Sequence, residues 1–502
     1  MLKIHNKKFY LTLSTAIVIL ISSYFLLDNS STANKFVFSN FINPYNPLET
    51  EQFKSDKILI ISENAWKDPR GIFPIFAFNL PEKTNDLTAS LKVIEKGGIN
   101  IIINGNMGWM PYPYKVKEAF EKLESTNLRW LAIIENECKD NFIYRNSNDE
   151  INGNIREYLS EFNDDFIYGW YIWDEPGNNR KLCTPLDLIP NDDNEDINRM
   201  VKQIRSDSLF SRKLDFVNLF PSYWDGTPTS ADYEKYVDAF ISAQEHKPRV
   251  LCFDHYPNLK EAEGGFRNNF YSNLSVIRKK SLEYDIPFWI IILSSEHLSY
   301  RKPSFEDISL QVYSALAYGA KGIGYYLYSK SWENVGYKSW LLEDYVDDPS
   351  VPDSLHGPLF IPVQNLNKQV QVLGKILTEL ESVDVIHTSD YPNKQKDIVQ
   401  SLFKRNESNN LLKEIQINEN TNVDPKILIG VFKNKNDTVQ SGRYLLVVNK
   451  DVLTSSEFQI KLNKTYKLFK FNKETGEKNF LLPSENIIIT IFPGSGELFY
   501  IE

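Results

Sequence analysis

Acidic residues at the ends of two apolar runs carry the clearest chemistry in this sequence. The stretch FIYGWYIWDEPGNN passes from Trp173 directly into Asp174 and Glu175, and Glu296 follows a second apolar run. Apolar neighbours disfavour an ionised carboxyl, so a glutamate near Trp173 suits a proton donor. Cleavage of a glycosidic bond uses such an acid together with a second carboxylate that attacks the anomeric carbon or activates water. We therefore expect Glu175 to be the acid and Glu296 the second carboxylate.

These acids need elements that bring them to one surface, and the apolar runs provide such elements. Eight continuous runs lie before residue 330, with helix-like segments between most of them. The runs are 71–79, 98–106, 128–136, 166–176, 214–224, 249–257, 286–297 and 319–329. Continuous apolar runs are typical of strands buried on both faces of a parallel sheet. Eight of them alternating with helices predict an α/β fold, a (β/α)8 TIM barrel. The alternative is an open doubly wound sheet, which the lack of a Gly-rich phosphate loop disfavours.

The pattern changes near residue 385, where short strands separated by turn residues such as Asn-Lys-Asn-Asp and Thr-Gly begin. This pattern predicts a C-terminal β-sandwich over 386–502, after a barrel catalytic domain over 71–385. Gly494 and Gly496 are expected in a turn before the last strand. The sandwich sequence has no cluster of acids or histidines, so its expected role is to support the barrel, with sugar binding as the alternative.

The first 33 residues have the composition of an export signal. Three lysines precede an apolar run at 9–27, and the small residues Ser31, Thr32 and Ala33 follow it. This is a signal peptide cleaved after Ala33 or an uncleaved signal anchor, and residues 34–70 are a tether and lead-in. The positive flank predicts an extracytoplasmic location for the remainder, which is secreted, periplasmic or tethered to the membrane through 9–27.

Composition narrows the possible partners. The chain has 502 residues and a formal net charge of -10, with no basic block beyond the N-terminus, which argues against nucleic acid. Its 3 cysteines lack metal-ligand spacing, so we expect neither a metal site nor a disulfide framework, and no cofactor. An aromatic content of 13% suits a cleft in which rings stack on sugars.

Polar and aromatic side chains at the other strand ends are predicted to bind a carbohydrate. In a barrel these ends meet at one face, where barrel enzymes build their sites. The predicted substrate-binding residues are Asp174, Asn104, Trp224, Asp254, His255, Tyr256, Tyr326 and Trp332. Side chains alternate along a strand, so only one of Asp174 and Glu175 is expected to face the barrel axis. Asp254 is the alternative second carboxylate, which would favour inversion instead of retention.

The motif GWYIWDEP, followed by a glutamate after the seventh strand, resembles clan A glycoside hydrolases. The resemblance spans about 71–385 and implies a glutamate acid/base at the end of strand four and a glutamate nucleophile at the end of strand seven. Glu175 and Glu296 take those positions. Asp174 replaces the asparagine that contacts the sugar 2-hydroxyl in the clan, and Tyr256 lies where a sixth-strand residue often touches the nucleophile. Many members of the clan carry a C-terminal β-sandwich.

The sequence therefore predicts an extracytoplasmic glycosidase that acts on a poly- or oligosaccharide by a two-carboxylate, retaining mechanism. A catalytically inactive barrel that binds carbohydrate at the cell surface is the alternative from a different class. A third possibility is a barrel lyase or metal-dependent hydrolase, with Asp254, His255 and His297 as the residues nearest to a ligand set.

Overall fold

The computed structural model describes the barrel and the C-terminal sheet in several segments. These are residues 66–78, 87–103, 123–133, 166–177, 193–206, 211–223, 229–329, 336–342, 356–387, 412–417, 426–435 and 442–502. The predicted export signal at 1–33 lies outside the described residues, as do Asn104, Trp224 and Trp332. Among the residues that are described, no helix is both long and apolar enough to span a membrane.

Eight parallel strands close into a barrel, which confirms the predicted fold. The strands are β1 (Ile75–Phe78), β2 (Ile101–Ile103), β3 (Arg129–Ile133), β4 (Ile167–Asp174), β5 (Leu214–Leu219), β6 (Leu251–His255), β7 (Phe288–Leu293) and β8 (Ile323–Tyr326). Closure is visible at β1, where Phe76 pairs with Ile101 of β2 on one side and with Gly324 of β8 on the other. Each strand lies within one of the eight apolar runs, and the open sheet is excluded.

The described helices surround these strands. They are α1 (Leu87–Lys96), α2 (Asp193–Ser206), α3 (Ser230–Ala243), α4 (Phe270–Tyr284), α5 (Phe305–Tyr318) and α6 (Phe360–Thr378). The start of α5 is fixed by a capping box, in which the Ser304 side chain accepts from the Asp307 amide and the Asp307 carboxylate accepts from the Ser304 amide. The helix predicted before the third strand falls mostly outside the described residues.

The barrel interior is a packed aromatic layer. Residues alternate along β5, so that Leu214 and Phe216 belong to the interior cluster while Val217 and Leu219 pack toward the helices. The Trp289 ring lies 5.9 Å from that of Phe216 and 5.5 Å from that of Phe76. This layer gives the carboxyl end of the barrel an apolar floor, which matters for any charged group placed above it.

Seven antiparallel strands form the C-terminal domain, a sandwich-like arrangement as predicted. They are β9 (Leu380–His387), β10 (Leu412–Ile417), β11 (Ile427–Asn434), β12 (Arg443–Asn449), β13 (Ser456–Phe471), β14 (Lys478–Ile491) and β15 (Gly496–Ile501). The order is β10-β13-β15-β12-β11-β9, with β14 paired to β13. The first half of β13 pairs with β10 and its second half with β15, and register shifts separate the halves. This division lets one long strand serve two parts of the domain.

The sheet joins the barrel at α5. Gly494 has a φ of 64°, and a Cβ there would come within 2.2 Å of the Glu306 carbonyl oxygen at the start of that helix. Only glycine fits both the left-handed turn and this close approach, so the turn predicted before the last strand also makes the contact with α5. Gly496, also predicted in this turn, is instead the first residue of β15. The expected domain boundary at 385/386 falls within β9, which starts at Leu380 directly after α6.

Candidate active site

The end of β4 brings two carboxyls to the mouth of the barrel. Asp174 is the last residue of the strand, and its Oδ1 accepts a hydrogen bond of 2.7 Å from the Tyr171 hydroxyl. Glu175 has a φ of 51°, in the left-handed region that non-glycine residues seldom adopt. Its backbone N–H donates to the carbonyl oxygen of Asn218 at 2.7 Å. The strand therefore stops being regular at Glu175, and the strict alternation expected for the two acids does not hold.

Asn218 of β5 joins the acids of two neighbouring strands. Its Nδ2 lies 3.0 Å from Asp174 Oδ1 and 3.1 Å from Asp254 Oδ1, and it donates to both. Asn218 follows Phe216 by two positions, so it points to the same interior side as that ring. The carboxyl ends of β4, β5 and β6 thus form one hydrogen-bonded cluster, which we call the acid cluster: Asp174, Glu175, Asn218 and Asp254.

Asp254 is the most deeply buried acid of this cluster, with 3% of its surface exposed. Burial above the aromatic floor raises its pKa to about 7, and the negative charge of Asp174 adds to the rise. Hydrogen bonds from Asn218 and from the Glu175 side chain oppose it. A carboxyl that changes charge near neutral pH is suited to proton transfer.

The Glu175 and Asp254 carboxyls are close enough to share a hydrogen bond. This bond lowers the pKa of Asp254, against the larger effects of burial and of the Asp174 charge, which raise it. Two ionised carboxylates in contact would repel each other strongly, which favours keeping one proton between them.

Aromatic rings line the mouth next to the acid cluster. The Tyr256 ring stacks on that of Tyr326 at 5.4 Å, and the Tyr326 hydroxyl lies 2.7 Å from that of Tyr337. The His297 ring stacks on Tyr337 at 4.7 Å. The acid cluster also acts on Tyr256. Burial is the main cause that holds the pKa of Tyr256 well above its usual range, and the charge of Asp254 is the next. Glu175 contributes in the same direction. Tyr256 therefore lies between the acids and the aromatic side of the mouth.

His255 occupies a different position from the one expected of a substrate-binding residue. It has no exposed surface, and its ring lies 5.2 Å from Phe270 of α4 and 4.9 Å from Tyr223. Its Nε2 is 3.3 Å from Asn269 Oδ1, and burial lowers its pKa well below the usual range. His255 follows Asp254 directly along β6, so the two side chains lie on opposite sides of the strand. The His255 side chain therefore packs against Tyr223 on the helix side of the barrel.

Glu296 lies three residues after the end of β7 and belongs to the connection that follows it. Its backbone N–H donates to Ser339 Oγ at 2.9 Å, and its Oε1 is 3.9 Å from Lys338 Nζ. These contacts run to the segment after β8, whereas the contacts of Glu175 given above run to β5 and β6. The ring of the adjacent His297 lies 6.1 Å from the ring of Tyr256, between centroids. His297 therefore connects the segment after β7 with the aromatic rings next to the acid cluster.

No group of three or more histidines, cysteines or acids suited to a metal ion occurs among the residues that the structure describes. His297 has burial as the main cause of a pKa lowered to about 4, and its Nδ1 lies 3.3 Å from Ser295 Oγ. Cys252 is buried beneath Asp254 as part of the interior cluster. These residues pack or support the mouth.

Asn218 is the member of the acid cluster that sequence reasoning missed. A signal for it exists, since it is the polar residue at an interior parity position in the run LDFVNL. Attention to strand ends led instead to Trp224, beyond the point where β5 ends at Leu219. Parity within a buried strand would have identified it.

No protein-family model and no curated protein matches the chain. Solved structures similar to it include a catalytic mutant of a GH42 beta-galactosidase from G. stearothermophilus, at 10% identity and TM-score 0.48, covering 86% of this chain and 98% of that one. A family 51 alpha-L-arabinofuranosidase from Bifidobacterium longum has 10% identity and TM-score 0.41, with 87% and 96% covered. A GH30 endoxylanase from Clostridium papyrosolvens has 10% identity and TM-score 0.39, with 88% and 98% covered. All three are glycoside hydrolases. At such identities the likeness concerns the fold alone, and the strand pairing of this chain establishes the barrel.

Proposed function

We propose that this protein is a glycoside hydrolase in which Glu175 gives a proton to the leaving oxygen of a carbohydrate substrate. The observation that carries the proposal is the hydrogen-bonded pair of Glu175 and Asp254 at the mouth of the barrel. Burial and the charge of Asp174 raise the pKa of Asp254 to about 7. We propose that Glu175 holds the proton of the pair when Asp254 is ionised. A protonated carboxyl at neutral pH is what leaving-group protonation requires.

The second carboxylate of the mechanism is proposed to be Glu296. Retaining enzymes hold their two carboxyls about 5–5.5 Å apart and inverting enzymes about 6.5–9.5 Å apart. The hydrogen-bonded Glu175 and Asp254 are closer than either arrangement requires, so they act as one proton-sharing unit instead of flanking a bond. The position of Glu296 after β7, next to His297 on the aromatic side, supports it as the nucleophile of a retaining reaction.

The aromatic side supports a carbohydrate as the substrate. Tyr256, Tyr326 and Tyr337 form an aromatic group beside the acid cluster, and both aromatic rings and hydroxyls are used in sugar sites. The acid cluster stands on one side of Tyr256 and the residues after β7 and β8 on the other. We propose that a sugar ring occupies the space beside Tyr256, with its glycosidic oxygen toward Glu175.

The test is hydrolysis of a panel of aryl glycosides and polysaccharides by the full chain and by Glu175→Gln. For substrates with poor leaving groups, we expect kcat/KM to fall by about 10²–10⁴-fold, the usual contribution of general acid catalysis. A dinitrophenyl glycoside needs no protonation of its leaving group, so the first turnover should be affected much less. Glu296→Gln should lower the rate for both kinds of substrate, and NMR of the first-formed product should show retention.

Loss of activity in Glu296→Gln but an unchanged rate in Glu175→Gln for every leaving group would remove Glu175 from the role proposed. Binding of an oligosaccharide that persists in the wild type and in both variants, with no hydrolysis in any of them, would favour the inactive carbohydrate-binding barrel instead. Calorimetry with the same oligosaccharides separates these outcomes.

A further inference from the structure

Asn218 uses both hydrogens of one amide nitrogen on two acids. Its Nδ2 lies 3.0 Å from Asp174 Oδ1 and 3.1 Å from Asp254 Oδ1, and only 3% of the residue is exposed. If the amide were turned over, its oxygen would face the two carboxylate oxygens, and three acceptors would meet without a hydrogen between them. The orientation is therefore set by the negative charge of its neighbours.

This arrangement leaves the amide oxygen without a hydrogen bond. In the part of the chain that the structure describes, the buried Asn218 Oδ1 has no partner. Asn100 offers a contrast at the opposite end of the barrel, where its Oδ1 accepts from the Ile75 amide at 3.0 Å and its Nδ2 donates to the Phe73 carbonyl at 2.8 Å. An asparagine that only braces strands satisfies both of its ends, and one that leaves an end unpaired deserves another explanation.

We propose that Asn218 is a positioning residue that holds Asp174 and Asp254 together and, through its donation to Asp254, helps to keep the acid proton on Glu175. A donor to a carboxylate stabilises the charged form, and one hydrogen of the amide is given to Asp254. With Asp254 held ionised, its hydrogen bond with Glu175 has the proton on the glutamate. This inference rests on the proposed function for its catalytic meaning, but the location of the proton can be measured without a substrate.

Apart from Glu175, the titratable groups around Asp254 do not stabilise its negative charge, so the amide of Asn218 matters for its ionisation. The titratable groups that face it come from β4, the strand end of β5, α3, β6 itself and β8. They are Asp174, Glu175, Tyr223, Tyr233, Tyr236, Cys252, Tyr256 and Tyr326. All of these groups are neutral or negative at neutral pH, so the donation by Asn218 opposes the repulsion from Asp174.

Infrared titration of the carboxyl C=O band tests the inference on the full chain. The ionisation step of Asp254 is the one that disappears in Asp254→Asn. In Asn218→Ala we expect the midpoint of this step to rise by about 1–2 pH units, the usual worth of one hydrogen bond to a charged group. Asn218→Ser can donate to one carboxylate only and should give a smaller rise. Asn100→Ala is the matched control, which should leave the midpoint unchanged.

Kinetics supply a readout that a merely structural role would not move. If the proton leaves Glu175 for Asp254, Asn218→Ala should slow substrates with poor leaving groups at least tenfold more than dinitrophenyl glycosides. An unmoved midpoint in both Asn218 variants, with hydrolysis intact, would overturn the inference and leave the proposed function standing. A raised midpoint in a protein that hydrolyses nothing would support the proton placement and sink the proposed function.

Discussion

Two buried aspartates on neighbouring strands meet opposite surroundings. Asp215 is the second residue of β5, toward the amino end of the barrel, and Asp254 lies near the carboxyl end of β6. Asp215 forms ion pairs with Arg205 at 2.8 Å and with Arg249 at 3.3 Å. Asp254 has the amide of Asn218 and two further acids around it. A buried aspartate is thus surrounded by cations at the amino end of the barrel and by other carboxyl groups at its carboxyl end.

The difference separates an acid that stabilises the fold from one suited to chemistry. Burial raises the pKa of both residues, but the two arginines oppose the rise at Asp215, whereas Asp174 adds to it at Asp254. Asp215 is thereby used as a fixed negative charge between α2 and the strands. Asp254 reaches a pKa of about 7 and can change its charge under ordinary conditions.

The largest expected effect on stability comes from Asp215→Asn. Removing the carboxylate breaks the ion pair with Arg205, a cation whose side chain is only 5% exposed. Loss of one member of a buried ion pair costs about 3–5 kcal/mol, and we expect the free energy of unfolding measured with urea to fall by that amount.

Asp254→Asn is the matched control, since it makes the same change at similar burial on the next strand. It removes a charge that Asp174 repels and keeps an oxygen for Asn218, so at pH 8 we expect no comparable loss of stability. If both variants lost the same free energy of unfolding, the different surroundings of Asp215 and Asp254 would not affect stability, which would contradict the comparison.

A somewhat smaller effect is expected in the pH dependence of stability. Asp254 has a folded pKa of about 7, above its unfolded value of about 3.9, so the folded state binds this proton more tightly. The stability from this group is therefore fully present below pH ~4 and is lost as the pH rises to about 7, by up to about 4 kcal/mol. Urea unfolding from pH 4 to 8 should show this slope in the difference between the wild type and Asp254→Asn. A flat difference curve would contradict the raised pKa.

The smallest effect is expected for Arg249→Met. Arg249 is less buried than Arg205, with 19% of its side chain exposed, and lies farther from Asp215. Its Nη2 also donates to the Ser211 carbonyl oxygen at 2.7 Å. We expect a loss of about 1.5–3 kcal/mol, in the range of a hydrogen bond to a charged group, measured by urea unfolding. Arg205→Met is the comparison and should lower the free energy of unfolding by more. If Arg249→Met had the larger effect, the N–O distances of the two ion pairs would not predict their relative contributions to stability.

Much of the fold could be predicted because buried parallel strands have a local signature. All eight barrel strands fall within continuous apolar runs, and α1 to α5 lie between those runs, where helix-like segments are expected. The long helix α6 was not predicted, although it precedes the C-terminal sheet directly. Its sequence mixes Asn, Gln and Lys with apolar residues, and its buried face is defined by packing against the barrel and the sheet.

Less of the candidate site could be predicted. Glu175 was identified from its place after an apolar run, and Asp254 was recognised only as one of several strand-end residues. Their contact depends on the left-handed φ of Glu175, which ends the alternation along β4. His255 was grouped with Asp254 because the two are adjacent in sequence, yet opposite parity puts it behind the mouth.

The sequence by itself determined the order of strands and helices, the change to a β domain and the acids at the end of β4, because each has a pattern within a few residues. Only the tertiary structure decided which side chains meet. The register of β4, β5 and β6 brings Asn218 between Asp174 and Asp254, and the aromatic floor beneath them excludes water. The raised pKa of Asp254 follows from that burial and from contacts between strands, which no local pattern encodes.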